Sequence, residues 1–240
     1  MSPLLSIIIP AYNEAHRLPE SIRELVQFSQ SLNFDHEVLV VVEKSTDNTL
    51  ELARQGFGAN PHFRILNNRV HRGKGYASRS GMLQANGQYR FFMDADLSTP
   101  LQEVHAFLAY FQSHPEVDLL IGSRQHPESQ ILKSQSWLRE TMGQTFNRFM
   151  RSIVPLPFAD TQCGFKAFRA NAAEAIFSRA TVDGFAFDVE VLLLAKKLGF
   201  KTIDLPVRWT NSPDSKVHIV RDSLRMLWDT VKIRLATRVS

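Results

Sequence analysis

With a single cysteine, Cys163, the chain of 240 residues can build no internal disulfide framework, and it agrees with a reducing compartment. It has no run near the roughly 20 apolar residues that a membrane-spanning helix needs. The opening Met1-Ser2-Pro3-Leu4 carries no basic segment, and Pro10 to Glu14 cut the apolar run short, so it reads as a strand and not as a signal peptide. Charge of one sign is lacking too: 28 Lys and Arg against 24 Asp and Glu leave a net +4. That balance suits anionic small ligands or an anionic lipid surface and is too weak to imply nucleic acid. There is no internal repeat and no low-complexity tract, and the eight histidines show no ligand spacing. What is there is a 44% apolar chain, enough for one sizeable core or one domain with an appendage.

The most informative stretch runs from Tyr89 to Pro100. Arg90 to Met93 are mostly bulky and apolar, as in a strand buried on both faces. Two acids follow, and on an extended chain the side chains of Asp94 and Asp96 point the same way. Thr99-Pro100-Leu101-Gln102 then offers an N-cap residue, a proline for the first helical position and a capping-box glutamine, which predicts a helix start. Ligands of open α/β sheets sit outside the carboxyl ends of strands. Paired acids there suit a hard divalent cation, although an arbitrary DxD is more often a solvated loop.

Strands are predicted over Leu4 to Ile9, Val38 to Val42, Phe63 to Leu66 and Val117 to Gly122, with helices from Pro19, after Asp47 as N-cap, and from Tyr76 to Ala85. This alternation predicts an α/β fold with a mostly parallel central sheet flanked by helices. Residues 125–158 show no strand-like run, and a helix is predicted over about Gln135 to Ile153. Between Arg124 and Arg151, five Arg or Lys stand against Glu128 and Glu140, which makes the segment basic. Further on, the pattern predicts a strand from Cys163 to Arg169, helices over Asn171 to Arg179 and Phe187 to Leu198, and a strand from Thr202 to Trp209 with Pro206 at an edge. In the tail, Val220, Leu224, Leu227, Trp228, Val231 and Leu235 recur at helical spacing, which predicts an amphipathic C-terminal helix. The division expected is a domain over 1–210, with a nucleotide-sugar half (1–123) and an acceptor half (124–210), followed by the helix in 211–240.

Pro10-Ala-Tyr-Asn-Glu14, Ser45-Thr-Asp47, Arg72-Gly-Lys-Gly75 and Met93-Asp-Ala-Asp-Leu-Ser98 come in the order seen in family 2 glycosyltransferases of the GT-A fold, which the chain resembles over nearly its whole length. Asp160 to Lys166, Phe187-Asp188-Val-Glu190 and Ser215-Lys216 resemble the branch acting on polyprenyl phosphates, especially dolichyl-phosphate β-glucosyltransferases. The resemblance implies an inverting, metal-dependent hexosyltransferase using a nucleotide sugar, UDP-glucose being the expected donor. It implies Mg²⁺ or Mn²⁺ on Asp94 and Asp96, and donor contacts from Pro10, Tyr12, Glu14, Glu43, Lys74 and Asp94. Ser123, Arg124, Arg139 and Lys216 stand at positions expected to hold the acceptor phosphate, the arginines because their planar fork matches phosphate oxygens. Asp160 is expected to contact sugar or assist deprotonation, and Glu190 to line the sugar pocket, while Asp188 and Glu190 also read as acids at a helix start. Two departures stand out: Glu43-Lys44 replaces the usual aspartates and glycine, with one residue fewer, and Ser98 stands where some members have a glutamine ligand. The glycines around Lys74 read as letting the backbone approach an anion. Cys163 reads as a small packing residue. The partners implied are a nucleotide-sugar donor, a polyprenyl phosphate (dolichyl or undecaprenyl) and an anionic membrane surface, with no nucleic acid. The expected location is cytoplasmic, peripheral to the cytoplasmic face of a membrane.

Three other readings compete. A family 2 enzyme acting on a hydroxyl of a polysaccharide or soluble acceptor would need a true general base and gives the basic 124–151 segment no purpose. A sugar nucleotidyltransferase would carry a glycine-rich loop where Pro10 to Glu14 has no glycine. A non-enzymatic nucleotide-sugar-binding protein would have no need of intact Asp94 and Asp96.

Overall fold

The longest apolar runs become the innermost strands. In the computed structural model, which describes residues 2–133, 153–154, 156–212 and 219–238, β1 (Leu5–Ala11) and β2 (His36–Glu43) are buried along their whole length. With β3 (Phe63–Asn68), β4 (Tyr89–Met93), β5 (Leu119–Ser123), β7 (Phe165–Arg169) and β8 (Thr202–Pro206) they form a seven-stranded sheet in the order β3-β2-β1-β4-β7-β5-β8. All neighbours are parallel except β7, which runs antiparallel to both β4 and β5. Helices α1 (Leu18–Ser31), α2 (Thr49–Phe57) and α4 (Glu103–Ser113) cover one face; α3 (Lys74–Gln84), α5 (Ala170–Phe177) and α6 (Phe187–Lys197) cover the other.

Strand alternation divides the core between these faces. Ile7, Ile9, Val38, Val40, Phe91 and Met93 pack with Leu25 and Phe107, whereas Ile8, Leu39, Val41 and Phe92 pack with Met82, Ile176 and Leu192. The helix α7 (Ile219–Arg238) seats Met226 and Ile233 against Val182, Phe185, Ala186 and Leu193.

Several boundaries differ from the sequence reading. β1 continues through Pro10 to Ala11, paired with Val41 and Val42. The ladder with β4 ends at Ile8, so Pro10 pairs with one strand only, which a residue without an N–H tolerates. α4 begins at Glu103: Thr99 to Gln102 form a tight lead-in whose bonds run three residues back, from Glu103 N–H to the Pro100 carbonyl and from Val104 N–H to Leu101. α3 starts earlier than Tyr76, at Lys74. A short strand, β6 (Gln130–Lys133), lies in the segment expected to have none, and it pairs with β9 (Arg208–Thr210). The predicted strand from Thr202 to Trp209 therefore breaks at Val207 and serves two sheets. In α7 the buried stripe is Met226, Thr230 and Ile233, while Trp228 of the expected apolar face is 61% exposed. Most of the predicted helix from Gln135, with Arg139, and Lys216 lie outside the described residues.

Candidate active site

The carboxyl ends of β1, β2 and β4 open into a cleft of about 330 Å³. It brings together Pro10, Tyr12, Glu14, Glu43, Lys74, Asp94 and Asp96, the residues read from the sequence as the nucleotide-sugar and metal side. The antiparallel strand β7 helps to build it, because its leading end lies beside the carboxyl end of β4. The Asp94 N–H donates to the Gly164 carbonyl at 3.1 Å. Gly164 leaves the room that Asp94 occupies, since a Cβ would stand 2.0 Å from Asp94 Oδ2 and force the carboxylate to shift. Asp96 is held differently. Its Oδ1 accepts the Ser98 N–H at 3.1 Å, and Leu97 between them takes a left-handed φ of 47°. The guanidinium of Arg17 bridges Asp96 (3.4 Å) and Glu14 (2.7 Å), and also reaches the Ser212 hydroxyl at 3.2 Å.

Lys74 Nζ lies 2.5 Å from Asp94 Oδ1 and over the Phe92 ring. Burial works against its charge, but Asp94 and Asp188 more than offset this, and the Lys74 pKa is raised. The glycines flanking Lys74 are required by packing. Gly73 takes a φ of 130°, with the Asp183 carbonyl 2.6 Å from its would-be Cβ, and a Cβ on Gly75 would meet the Val182 carbonyl at 2.3 Å. The 182–184 loop is thus pressed onto the start of α3, where Asp183 pairs with Arg72 (2.6 Å) and Arg79 (2.8 Å).

On the β2 side Glu43 is almost wholly buried and accepts from the Arg72 and Gly73 N–H groups at 3.1 Å each. His71 Nδ1 bonds to the same carboxylate at 2.6 Å, and the His71 ring stacks on Tyr12 with centroids 3.6 Å apart and planes within 6°. The shortened 43–48 loop is stitched to the 11–15 loop. Asp47 Oδ2 accepts the Ala15 N–H and Asn13 Oδ1 accepts the Thr46 N–H. Asp47 precedes the true N-cap, Asn48, and its Oδ1 accepts the Thr49 N–H that opens α2.

Of the residues expected on the acceptor side, the described ones, Ser123, Arg124, Asp160 and Glu190, lie outside the lining of this cleft. Arg124 makes a two-point ion pair with the fully buried Asp160, at 2.6 Å (Nε to Oδ2) and 2.9 Å (Nη2 to Oδ1), and lies over the Trp209 ring. Burial pushes the Asp160 pKa up, but Arg124 outweighs it and the pKa is lowered, so Asp160 stays ionised. Ser123 is wholly buried at the end of β5. Asp188 forms a buried ion pair with Lys166, whose Nζ also donates to the Cys163 carbonyl at 2.7 Å. Burial raises the Asp188 pKa despite Lys166 and Lys74, and burial pushes the Cys163 thiol up to about 11. Glu190 accepts from the Thr181 N–H and hydroxyl and from the Val182 N–H, so both its oxygens hold the 181–182 turn.

The cleft also contains residues that the sequence reading missed: Arg17, His71, Phe185, Arg225 and Asp229. Arg17 had a signal, since it stands three residues after Glu14. Arg225 and Asp229 had none, because only the tertiary packing of α7 brings them to the cleft.

A family model described as Glycosyl transferase family 2 matches residues 6–177. The dolichyl-phosphate beta-glucosyltransferase of Dictyostelium discoideum is 33% identical over 240 residues, covering 96% of this chain and 73% of that protein. The Drosophila melanogaster protein of the same name is 36% identical over 225 residues, covering 89% and 69%. Among solved structures, mannosyl-3-phosphoglycerate synthase from Rubrobacter xylanophilus superposes with a TM-score of 0.69 at 20% identity, covering 99% of this chain and 74% of that one. Glucosyl-3-phosphoglycerate synthase from Mycobacterium tuberculosis, in complex with Mn²⁺, UDP-glucose and phosphoglyceric acid, gives 0.62 at 16%, covering 96% and 80%. The two solved structures share the fold.

Proposed function

The chain belongs to glycosyl transferase family 2, and from that premise we propose that it moves glucose from UDP-glucose, with inversion, onto a dolichyl or undecaprenyl phosphate. The observation that carries this reading is the convergence of Asp94 and Asp96 with Lys74 at the carboxyl end of β4, in the cleft that holds Tyr12 and Glu43. The names of the relatives support the lipid phosphate as acceptor and glucose as the sugar.

Asp94 and Asp96 would hold the divalent ion. Among the described residues no cluster of three metal-binding side chains occurs, so the remaining ligands would be diphosphate oxygens and water. Two hard carboxylates with room for phosphate fit Mg²⁺ or Mn²⁺. When bound, such an ion neutralises charge building on the leaving diphosphate. Lys74 adds a cation beside the same oxygens, Tyr12 and Pro10 offer surfaces for the base, and Glu43 accepts from its N–H or from ribose.

A phosphate monoester acceptor is already anionic near neutral pH and attacks without a strong base; positioning does the work. This agrees with the state of Asp160 and Glu190, the acids that the family resemblance puts forward. Asp160 is held ionised by Arg124, and Glu190 is committed to the 181–182 turn. Asp160 therefore orients Arg124, which with Ser123, Arg139 and Lys216 receives the acceptor phosphate. The acceptor being lipid, the chain works peripherally at the cytoplasmic face of a membrane, against which α7 turns Trp228 and Lys232. Among the described residues no helix is long and apolar enough to cross it.

A donor screen tests the reading. Nucleoside diphosphate release is measured from UDP-glucose, GDP-mannose and related donors, with a short polyprenyl phosphate or with the free polyprenol. UDP release from UDP-glucose that requires the lipid phosphate is expected. Equal release with the alcohol, or with a soluble sugar alone, moves the chain to hydroxyl acceptors.

A further inference from the structure

Among the described residues, four Arg and Lys side chains line the cleft: Arg17, Arg72, Lys74 and Arg225. Three of them are matched by acids of the chain itself, Arg17 by Glu14 and Asp96, Arg72 by Asp183 and Lys74 by Asp94. Arg225 makes no ion pair or hydrogen bond to any described residue, including Asp229 one helical turn further on. This difference matters for an anion. A phosphate must compete with Glu14, Asp183 or Asp94 for the first three cations, but no described acid competes with it for Arg225.

The packing of α7 fixes where this arginine stands. Met226, Thr230 and Ile233 are buried and form one stripe of the helix, and Met226 and Ile233 pack on Phe185, Ala186, Val182 and Leu193. Thr230 is tied down as well, its hydroxyl donating to the Met226 carbonyl at 2.7 Å. Arg225 and Asp229 flank that stripe, and both reach the cleft, where Gly184 and Phe185 form the adjoining wall. An arginine so placed presents a planar fork of donors that matches phosphate oxygens.

We infer that Arg225 is a phosphate-binding residue, supplied by α7 to the lining of the cleft beside Gly184 and Phe185. It contacts either the diphosphate of the donor or the phosphate of the acceptor. The inference rests on the functional reading above, since both ligands come from it. It makes α7 part of the substrate site and not merely a covering of the catalytic domain.

The experiment compares wild type, Arg225→Gln, Arg225→Lys and Lys197→Gln, the last removing an equal charge from the exposed end of α6. UDP binding with Mn²⁺ is measured by calorimetry, and KM for a short polyprenyl phosphate is measured at saturating UDP-glucose. Arg225→Gln is expected to weaken one of the two by roughly tenfold, the size of a charge-assisted hydrogen bond. Arg225→Lys should recover part of the loss, and Lys197→Gln should lose nothing. Weaker UDP binding assigns the donor diphosphate; unchanged UDP binding with a raised KM assigns the acceptor phosphate. If both constants match those of Lys197→Gln, or if Arg225→Lys loses as much as Arg225→Gln while the melting temperature falls in both, Arg225 is a surface or structural residue and the inference is wrong. A wild type that binds neither UDP nor GDP overturns the functional reading with it, whereas wild-type binding with indifferent variants overturns the Arg225 assignment alone.

Discussion

At the residue scale, the site depends on ion pairs between groups that water reaches poorly. Asp160 has no exposed surface and satisfies Arg124 at two points and the Arg124 N–H at a third. Losing one partner of a buried pair strands the other. Asp160→Asn should therefore cost about 2–3 kcal/mol in urea denaturation, below the loss for a fully buried pair because Arg124 keeps some contact with water. The pH dependence follows from the lowered Asp160 pKa: its stabilisation is fully present above the ordinary aspartate range and is lost as pH falls through the depressed value. An Asp160→Asn protein with wild-type stability at neutral pH would contradict this. His71 gives a second residue-scale prediction. Its ring lies flat on Tyr12 and bonds to Glu43, so a nucleobase seeking the same aromatic face and carboxylate must displace it. His71→Ala should bind UDP a few-fold more tightly by calorimetry, and weaker binding would make His71 part of the base contact instead. The sequence showed Tyr12, Glu43 and Asp96 through their motifs, but it could not show that His71 would partner the first two and Arg17 the third. Those pairings join residues 28 and 79 positions apart and depend on how the loops meet.

At the element scale, the antiparallel β7 is the part of the sheet that a strand–helix alternation does not disclose. Its pattern from Phe165 to Arg169 reads as a strand in either direction, and only the pairing with β4 and β5 shows which. Its position has a consequence for Asp94. Gly164→Ala would place a methyl group 2.0 Å from the carboxylate, so transfer should fall by at least tenfold while far-UV circular dichroism stays native. Near-wild-type transfer would show that Asp94 has freedom to move. The tail helix was legible as a helix but only in part in its rotation. Of the expected stripe Leu227 does pack on the core, whereas Trp228 is exposed; the buried stripe is Met226, Thr230 and Ile233, of which Met226 and Ile233 pack with Ala186 and Leu193. Trp228 stays exposed under Lys232, an arrangement suited to an anionic lipid surface, where each basic residue contributes on the order of 1 kcal/mol. Wild type should float with anionic liposomes at low salt, and Trp228→Ser/Lys232→Glu/Arg234→Glu should not. Equal flotation of the two proteins would leave α7 without a membrane role.

At the scale of the whole molecule, the parallel half from β1 to β4 was readable because each strand there is a nearly continuous apolar run that ends in a polar loop. The carboxyl-end rule then placed the cleft. The chain beyond β5 was less readable: β6 has only four residues, and one predicted strand serves two sheets by breaking at Val207. Asp94 stands where the two stretches of chain meet, bonded through its backbone to Gly164 and through its side chain to Lys74, beside the ladder that β7 makes with β4. The central claim is that Asp94 and Asp96 serve a divalent ion in transfer to a lipid phosphate. It is tested most directly by glucose transfer from UDP-glucose to a short polyprenyl phosphate, with wild type, EDTA-treated wild type, the treated enzyme resupplied with Mg²⁺ or Mn²⁺, and Asp96→Ala. The account predicts transfer by wild type, its loss with EDTA, its return with the ion, and none from Asp96→Ala under any condition. Transfer that is indifferent to EDTA, or full activity of Asp96→Ala, would contradict it.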